Sequence, residues 1–153
     1  MIVEALRLAR PGDANAIAVM SRDLVENGLG WSFTPEKVRA HVKDEHTLTV
    51  VAEAGSRIVG FAIVHYGSEV AHLSLLAVEP SHQRTGLGGR LMAWHLKCCQ
   101  TAQVRAIRLE LRADNVVAHM FYRAHGFVEA GVVSGYYAGV ETSIQMQLMM
   151  PKA

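Results

Sequence analysis

The 153 residues carry 15 Lys+Arg against 14 Asp+Glu, a formal net charge of +1, and half of them are hydrophobic. This balance excludes a disordered chain and supplies no basic surplus for nucleic acid, and no apolar run nears the roughly 20 residues that span a bilayer. The length suits one domain over 1–153 with a core that needs no disulfides, and the adjacent Cys98 and Cys99 fit a reducing cytoplasm.

Residues 2–8 alternate loosely and read as a strand, and Glu4, Arg7 and Arg10 leave no signal-peptide core there. Pro11-Gly12-Asp13 breaks the strand. Asp13 is a plausible N-cap for a helix over about 14–27, with Ile17, Met20, Leu24 and Val25 on one face, ended by Gly28 and Gly30. Thr34-Pro35 opens a second helix, with Thr34 at the cap and Pro35 in the first turn. Residues 47–54 and 57–66 form a hairpin turned by Gly55. Residues 71–78 are nearly all apolar, as in a central strand, and Pro80 ends it. A long helix runs from Gly86 to about Gln103, with Leu87, Leu91, Trp94 and Cys98 at helical spacing. Residues 105–112 alternate: Ile107, Leu109 and Leu111 point one way, Arg108, Glu110 and Arg112 the other. Asp114 can cap a helix from Asn115 to about His125, closed by Gly126, and 127–133 and 140–149 read as final strands. The order is β-α-α-β-β-β-α-β-α-β-β, an α/β chain with a mixed sheet.

The most informative stretch starts where the apolar strand ends. Gln83-Arg84-Thr85-Gly86-Leu87-Gly88-Gly89-Arg90 links that strand to the long helix. Glycines let backbone approach a ligand closely, and the unpaired N–H groups and dipole of a helix start favour anions. The spacing is neither G-x-x-x-x-G-K-[ST] nor G-x-G-x-x-G, so neither nucleotide-loop pattern fits. Asn115 and Tyr122, seven apart, would share one face of the next helix, with Val117, Phe121 and Ala124 packing on the other.

Gln83-Arg84-x-Gly86-x-Gly88 after such a strand resembles the signature of the GCN5-related N-acetyltransferases, the GNAT superfamily. Leu109-Glu110-Leu111, Asn115, Ala118, Tyr122 and Gly126-Phe127 resemble its next motif. Within the superfamily the chain is most similar to ribosomal-protein-alanine N-acetyltransferase-like members. Leu109 to Arg112 matches their L-E-V-R segment, and Tyr136-Tyr137 with Glu141 matches the region before their last strand. Ser134-Gly135 stands where that subfamily usually carries Arg.

The resemblance implies the GNAT acyl-CoA N-acyltransferase fold and an N-acetyltransferase that uses acetyl-CoA as co-substrate, without a metal. Its acceptor would be a primary amine, a protein N-terminus or a small amine. It implies that Gln83, Arg84, Thr85, Gly86, Leu87, Gly88, Gly89 and Arg90 hold the pyrophosphate. Leu76, Ala77 and Val78, on a strand that splays from its neighbour, would hold the pantetheine arm together with Asn115, and the Val78 N–H would face the thioester carbonyl. Tyr122 would be the general acid, also touching the cofactor, since a phenol ionising near about pH 10 can protonate a departing thiolate. Glu110 would be the base, through water. The residues alone allow a core tyrosine at 122 and a salt bridge from Glu110 to Arg108 or Arg112. Tyr136, Tyr137 and Trp31 each read either as walls of the acceptor site or as ordinary surface or core aromatics.

Eight histidines and two adjacent cysteines show no metal-ligand spacing. Many relatives are dimers, though no surface here marks one. A domain that binds acyl-CoA without turnover is the alternative reading, and it would have no need of both Glu110 and Tyr122. The near-zero total charge conceals a block: residues 80–109 carry five basic side chains and no acidic one, and the block begins at the glycine loop.

Overall fold

The computed structural model describes residues 4–137 and 141–151, with the side chains of 133–141 outside the description. The elements are β1 (Glu4–Leu8), α1 (Ala14–Met20), α2 (Pro35–Lys43), β2 (Thr47–Ala54), β3 (Arg57–Tyr66), β4 (Val70–Val78), α3 (Leu87–Ala102), β5 (Ala106–Arg112), α4 (Val116–Ala124), β6 (Val128–Tyr137) and β7 (Glu141–Met149). They follow the order expected from the sequence. One sheet runs β1-β2-β3-β4-β5-β7-β6. Its pairs are antiparallel except β4–β5, whose parallel arrangement requires a crossover, supplied by α3. No helix among the described residues is long and apolar enough to cross a membrane.

Helices cover both faces, which is why β2, β3 and β4 are apolar almost throughout. On one face Leu87, Leu91, Met92 and Cys99 of α3 and Tyr122 of α4 pack on Val50, Val64, Leu73, Ile107 and Leu109. On the other, Ala14, Ile17 and Ala18 of α1 and Val38 of α2 pack on Val51, Phe61, Ile63, Leu75 and Ala77. Each fully buried Leu or Ile in these layers contributes about 1.5–3 kcal/mol. A bulge in β4 lets one strand serve both layers. Ile63 pairs with Leu75 while Val64 pairs with Leu73, so Ser74 is the extra residue. Leu73 therefore faces α3, and Leu75 faces α1.

Several helix details depart from the sequence reading. The first helix does not run unbroken over 14–27: a turn of π-helix occupies Ser21–Val25. The wider turn shifts the phase of the apolar face, so Leu24 is exposed while Ser21 is buried. Asp13 does not cap α1. Its carboxylate accepts from the Arg10 N–H at 2.7 Å and pairs with Arg7 at 2.8 Å. Thr34 does cap α2, accepting from the Lys37 N–H. In α3 the deepest residues after Leu91 are Met92, His95 and Cys99 rather than Trp94 and Cys98. Asn115, not Asp114, caps α4. The packed face of α4 runs through Ala118, Phe121 and Tyr122, while Val117, expected to pack, is 71% exposed.

Candidate active site

β4 and β5 begin side by side and then part. Their pairing covers Val70↔Ala106, Ala71↔Ile107 and His72↔Arg108, yet β4 continues to Val78 and β5 to Arg112. Past His72 the backbone edge of β4 that faces β5, through Leu76, Ala77 and Val78, has no strand partner among the described residues. Unpaired backbone N–H and C=O groups are strong binding groups for an amide-bearing chain.

The glycine loop lies at the far end of β4. The Gln83 side-chain amide donates to the Val78 carbonyl at 2.8 Å, and the Thr85 hydroxyl donates to the His82 carbonyl at 2.8 Å. Arg84 (φ 63°) and Gly86 (φ 83°) are both left-handed. That conformation, followed at once by the first turn of α3, forms a concave set of N–H donors at Leu87, Gly88 and Gly89. Gly88 is also where α3 meets α4: a Cβ there would stand 3.1 Å from the Phe121 ring. The two arginines of the loop differ. Arg90 turns to β1, donating to the Glu4 carbonyl at 3.0 Å, and His82 meets the Glu4 carboxylate at 2.9 Å. The hydrogen bond with His82 is the main reason the Glu4 carboxyl is held below the usual carboxylate range. Arg84 has no ion-pair partner among the described residues.

On the α1/α2 side of the sheet lies a cleft of about 650 Å³. Val25, Leu29, Trp31, Phe33 and Leu75 give it apolar walls, and Glu26, His72 and Glu110 give it polar groups. Glu110 reaches it because Ile107, Leu109 and Leu111 take the opposite face of β5 into the α3 core. The His72 Nε2 and a Glu110 carboxylate oxygen are 2.5 Å apart. Trp31 is 38% exposed, and its indole N–H donates to the Ala18 carbonyl at 3.2 Å, which holds the ring in the cleft wall. Glu26 accepts from the Ser32 N–H and hydroxyl, the Phe33 N–H and the Ser21 hydroxyl. Burial pushes its proton affinity up, but these hydrogen bonds together outweigh it, and the carboxyl stays below its usual range.

Tyr122 lies behind the sheet, 8% exposed, edge-on to Phe121 and Phe127. It belongs to the α3-side core, so Glu110 and Tyr122 approach the parted strands from opposite faces. The Asn115 side-chain oxygen accepts from the Ala118 N–H at 3.1 Å, so Asn115 sits before the helix rather than on a face of it with Tyr122. Tyr136 and Tyr137 end β6, and their side chains lie outside the described residues. Among the described residues no group of three His, Cys, Asp or Glu side chains could hold a metal ion.

The sequence reading assigns no role to His72 or to Glu26. His72 carried a signal, being the one titratable side chain in a strand that is otherwise apolar apart from Ser74. Glu26 carried none, because its role depends on how the loop after α1 folds back.

Comparison with known proteins agrees with this geometry. The family described as the acetyltransferase (GNAT) domain matches residues 18–149. The [ribosomal protein bS18]-alanine N-acetyltransferase of Salmonella typhimurium is 35% identical over 121 residues, covering 77% of this chain and 80% of that protein. The crystal structure of the ribosomal-protein-S18-alanine N-acetyltransferase from Escherichia coli superimposes with a TM-score of 0.84 at 26% identity, covering 99% of this chain and 96% of that one. Arabidopsis thaliana NAA60 in complex with acetyl-CoA shares the fold, with a TM-score of 0.84 at 16% identity over 97% of this chain and 99% of that one. A match across most of the chain, with the parted strands and the glycine loop in place, shows that this protein belongs to the GNAT acetyltransferase family.

Proposed function

We propose that this chain, acting as one domain, transfers the acetyl group of acetyl-CoA directly to a primary amine, and that the amine is the N-terminus of a peptide or protein. The observation that carries the reading is that one gap between β4 and β5 adjoins both the glycine loop and the cleft holding Glu110. A thioester entering along β4 and an amine entering through the cleft would meet there. The names of the relatives support N-terminal acetylation, and the open, apolar-walled cleft suits a chain end.

The residues fit acetyl-CoA. The edge of β4 without a strand partner at Leu76, Ala77 and Val78 suits the amides of the pantetheine arm, and Asn115 is assigned to the same arm by resemblance. The N–H groups of Leu87, Gly88 and Gly89, the strained turn at Gln83 to Gly86, and Arg84 suit the pyrophosphate. Tight packing of Gly88 on Phe121 keeps this wall close to the gap. Glu110 takes the proton of the acceptor ammonium through water, which leaves a nucleophilic amine. The Val78 N–H donates to the oxygen that gains charge as the amine adds. Tyr122 returns a proton to the thiolate as it leaves. Trp31 walls the acceptor cleft, and Tyr136 and Tyr137 are assigned to the same substrate by resemblance. The two thiols, both free, support a reducing cytoplasm.

Thiol release from acetyl-CoA, measured against a panel of N-terminal peptides and a panel of small amines side by side, tests the proposal. Release with peptides bearing a free α-amine, and none with their N-blocked forms, is the expected result. Turnover with small amines only would overturn the acceptor. Stabilisation by acetyl-CoA with no acetylated amine would favour a binding domain.

A further inference from the structure

His72 occupies a particular place in the sheet. It is the last residue of β4 paired with β5, opposite Arg108, and Glu110 lies two residues further along the departing arm of β5. The His72–Glu110 contact therefore bridges the apex of the wedge. The contact joins residues 38 apart in sequence, and both line the cleft. With Glu110 ionised as a base requires, its carboxylate can only accept, and the imidazole presents Nε2–H to it. The two side chains are unequally covered: 19% of Glu110 and 44% of His72 is exposed.

We propose that His72 is the positioning residue for Glu110, fixing its carboxylate at the apex of the wedge and favouring its ionised form; this rests on the reading of Glu110 as base. A glutamate has three side-chain torsions, and a charge-assisted hydrogen bond removes most of that freedom. A donor to the charged form also lowers its affinity for a proton. Among the described residues, charged groups near Glu110 include Glu26, across the cleft, and Arg108 and Arg112, two residues to either side on the same strand face. Gln145 pairs with it from β7 and is neutral.

The test measures kcat and both KM values from pH 6 to 9 for the wild type, H72A, H72Q, E110Q and the double variant H72A/E110Q. H72A should lower kcat about tenfold or more, move the acidic limb of the profile to higher pH, and leave KM for acetyl-CoA within about twofold. H72Q keeps an N–H near the Nε2 position and should restore most of kcat, which a general packing role for histidine would not explain. The double variant should be no slower than E110Q, because His72 acts through Glu110. Wild-type rate and profile in H72A, with E110Q inactive, would overturn the proposal alone, as would losses that multiply in the double variant. Full activity in E110Q would overturn the base assignment and the His72 proposal with it.

Discussion

The Glu26 carboxylate accepts both the backbone N–H of Ser32, at 2.7 Å, and its hydroxyl, at 2.6 Å. Further bonds from the Phe33 N–H and the Ser21 hydroxyl make this buried acid the anchor of the segment that carries Trp31 and Phe33 into the cleft. Removing it leaves several donors without their acceptor. E26A should cost about 2–3 kcal/mol of stability and raise KM for the acceptor about tenfold, with KM for acetyl-CoA nearly unchanged. E26Q should fall between, since its amide nitrogen cannot accept. Urea unfolding and two-substrate kinetics check both effects, and an unchanged acceptor KM in E26A would separate this loop from acceptor binding.

Tyr122 is buried among Phe121 and Phe127 and is assigned the acid role by motif. Phenylalanine keeps the ring and removes only the hydroxyl. Y122F should therefore lower kcat about 10²-fold or more with an acceptor whose product depends on thiolate departure, while the melting temperature moves by only a few degrees. A full rate in Y122F would leave Tyr122 as a core residue and nothing more.

Much of the fold was legible because it is written in local patterns. Pro35 with Thr34, Gly55 and the clean alternation of 105–112 mark their elements without help from the rest of the chain. Features that depend on pairing between distant segments were not legible. The Ser74 bulge exists only relative to β3, so the apolar run of β4 could not reveal that Leu73 and Leu75 serve different layers. The π-turn at Ser21–Val25 breaks the period from which the face of the first helix is read. The packed face of α4 was misread because Val117 and Phe121 are both apolar at helical spacing, and only tertiary contact decides between them. At the site, the motif pointed to the glycine loop and to Glu110, which lines the cleft. The His72 partnership rests on parallel register, which no window of sequence contains.

Stability should depend on pH through His95. This residue is fully buried, its Nε2–H donates to the Ala62 carbonyl at 3.1 Å, and its Nδ1 accepts from the Tyr66 hydroxyl at 3.1 Å. Burial is the main cause that lowers its pKa to about 4. The unfolded chain, titrating near about 6.5, takes up a proton first as pH falls. This contribution is complete above pH 6.5 and is lost progressively toward pH 4, amounting to about 3 kcal/mol. Urea unfolding between pH 7 and 5 should show the slope, before the carboxylates of Asp13 and Glu26 begin to contribute. H95Q should flatten the slope in that window, and an unchanged slope would assign the dependence to other groups.

The two arginines of the glycine loop should behave differently when removed. Arg84 projects from a left-handed residue and has no ion-pair partner among the described residues, so its charge is available to an anion at the helix start. Arg90 is engaged with the carbonyl and carboxylate of Glu4. R84A should weaken acetyl-CoA binding about 5- to 30-fold, the value of one or two kcal/mol, and the loss should shrink as salt is raised. R90A should instead loosen β1 at its contact with α3, lowering stability by up to about 1 kcal/mol with a smaller effect on acetyl-CoA affinity. Calorimetric titration of acetyl-CoA at low and high salt, with unfolding curves for both variants, distinguishes them. Equal losses of affinity in the two would mean that Arg90 leaves Glu4 when the cofactor binds.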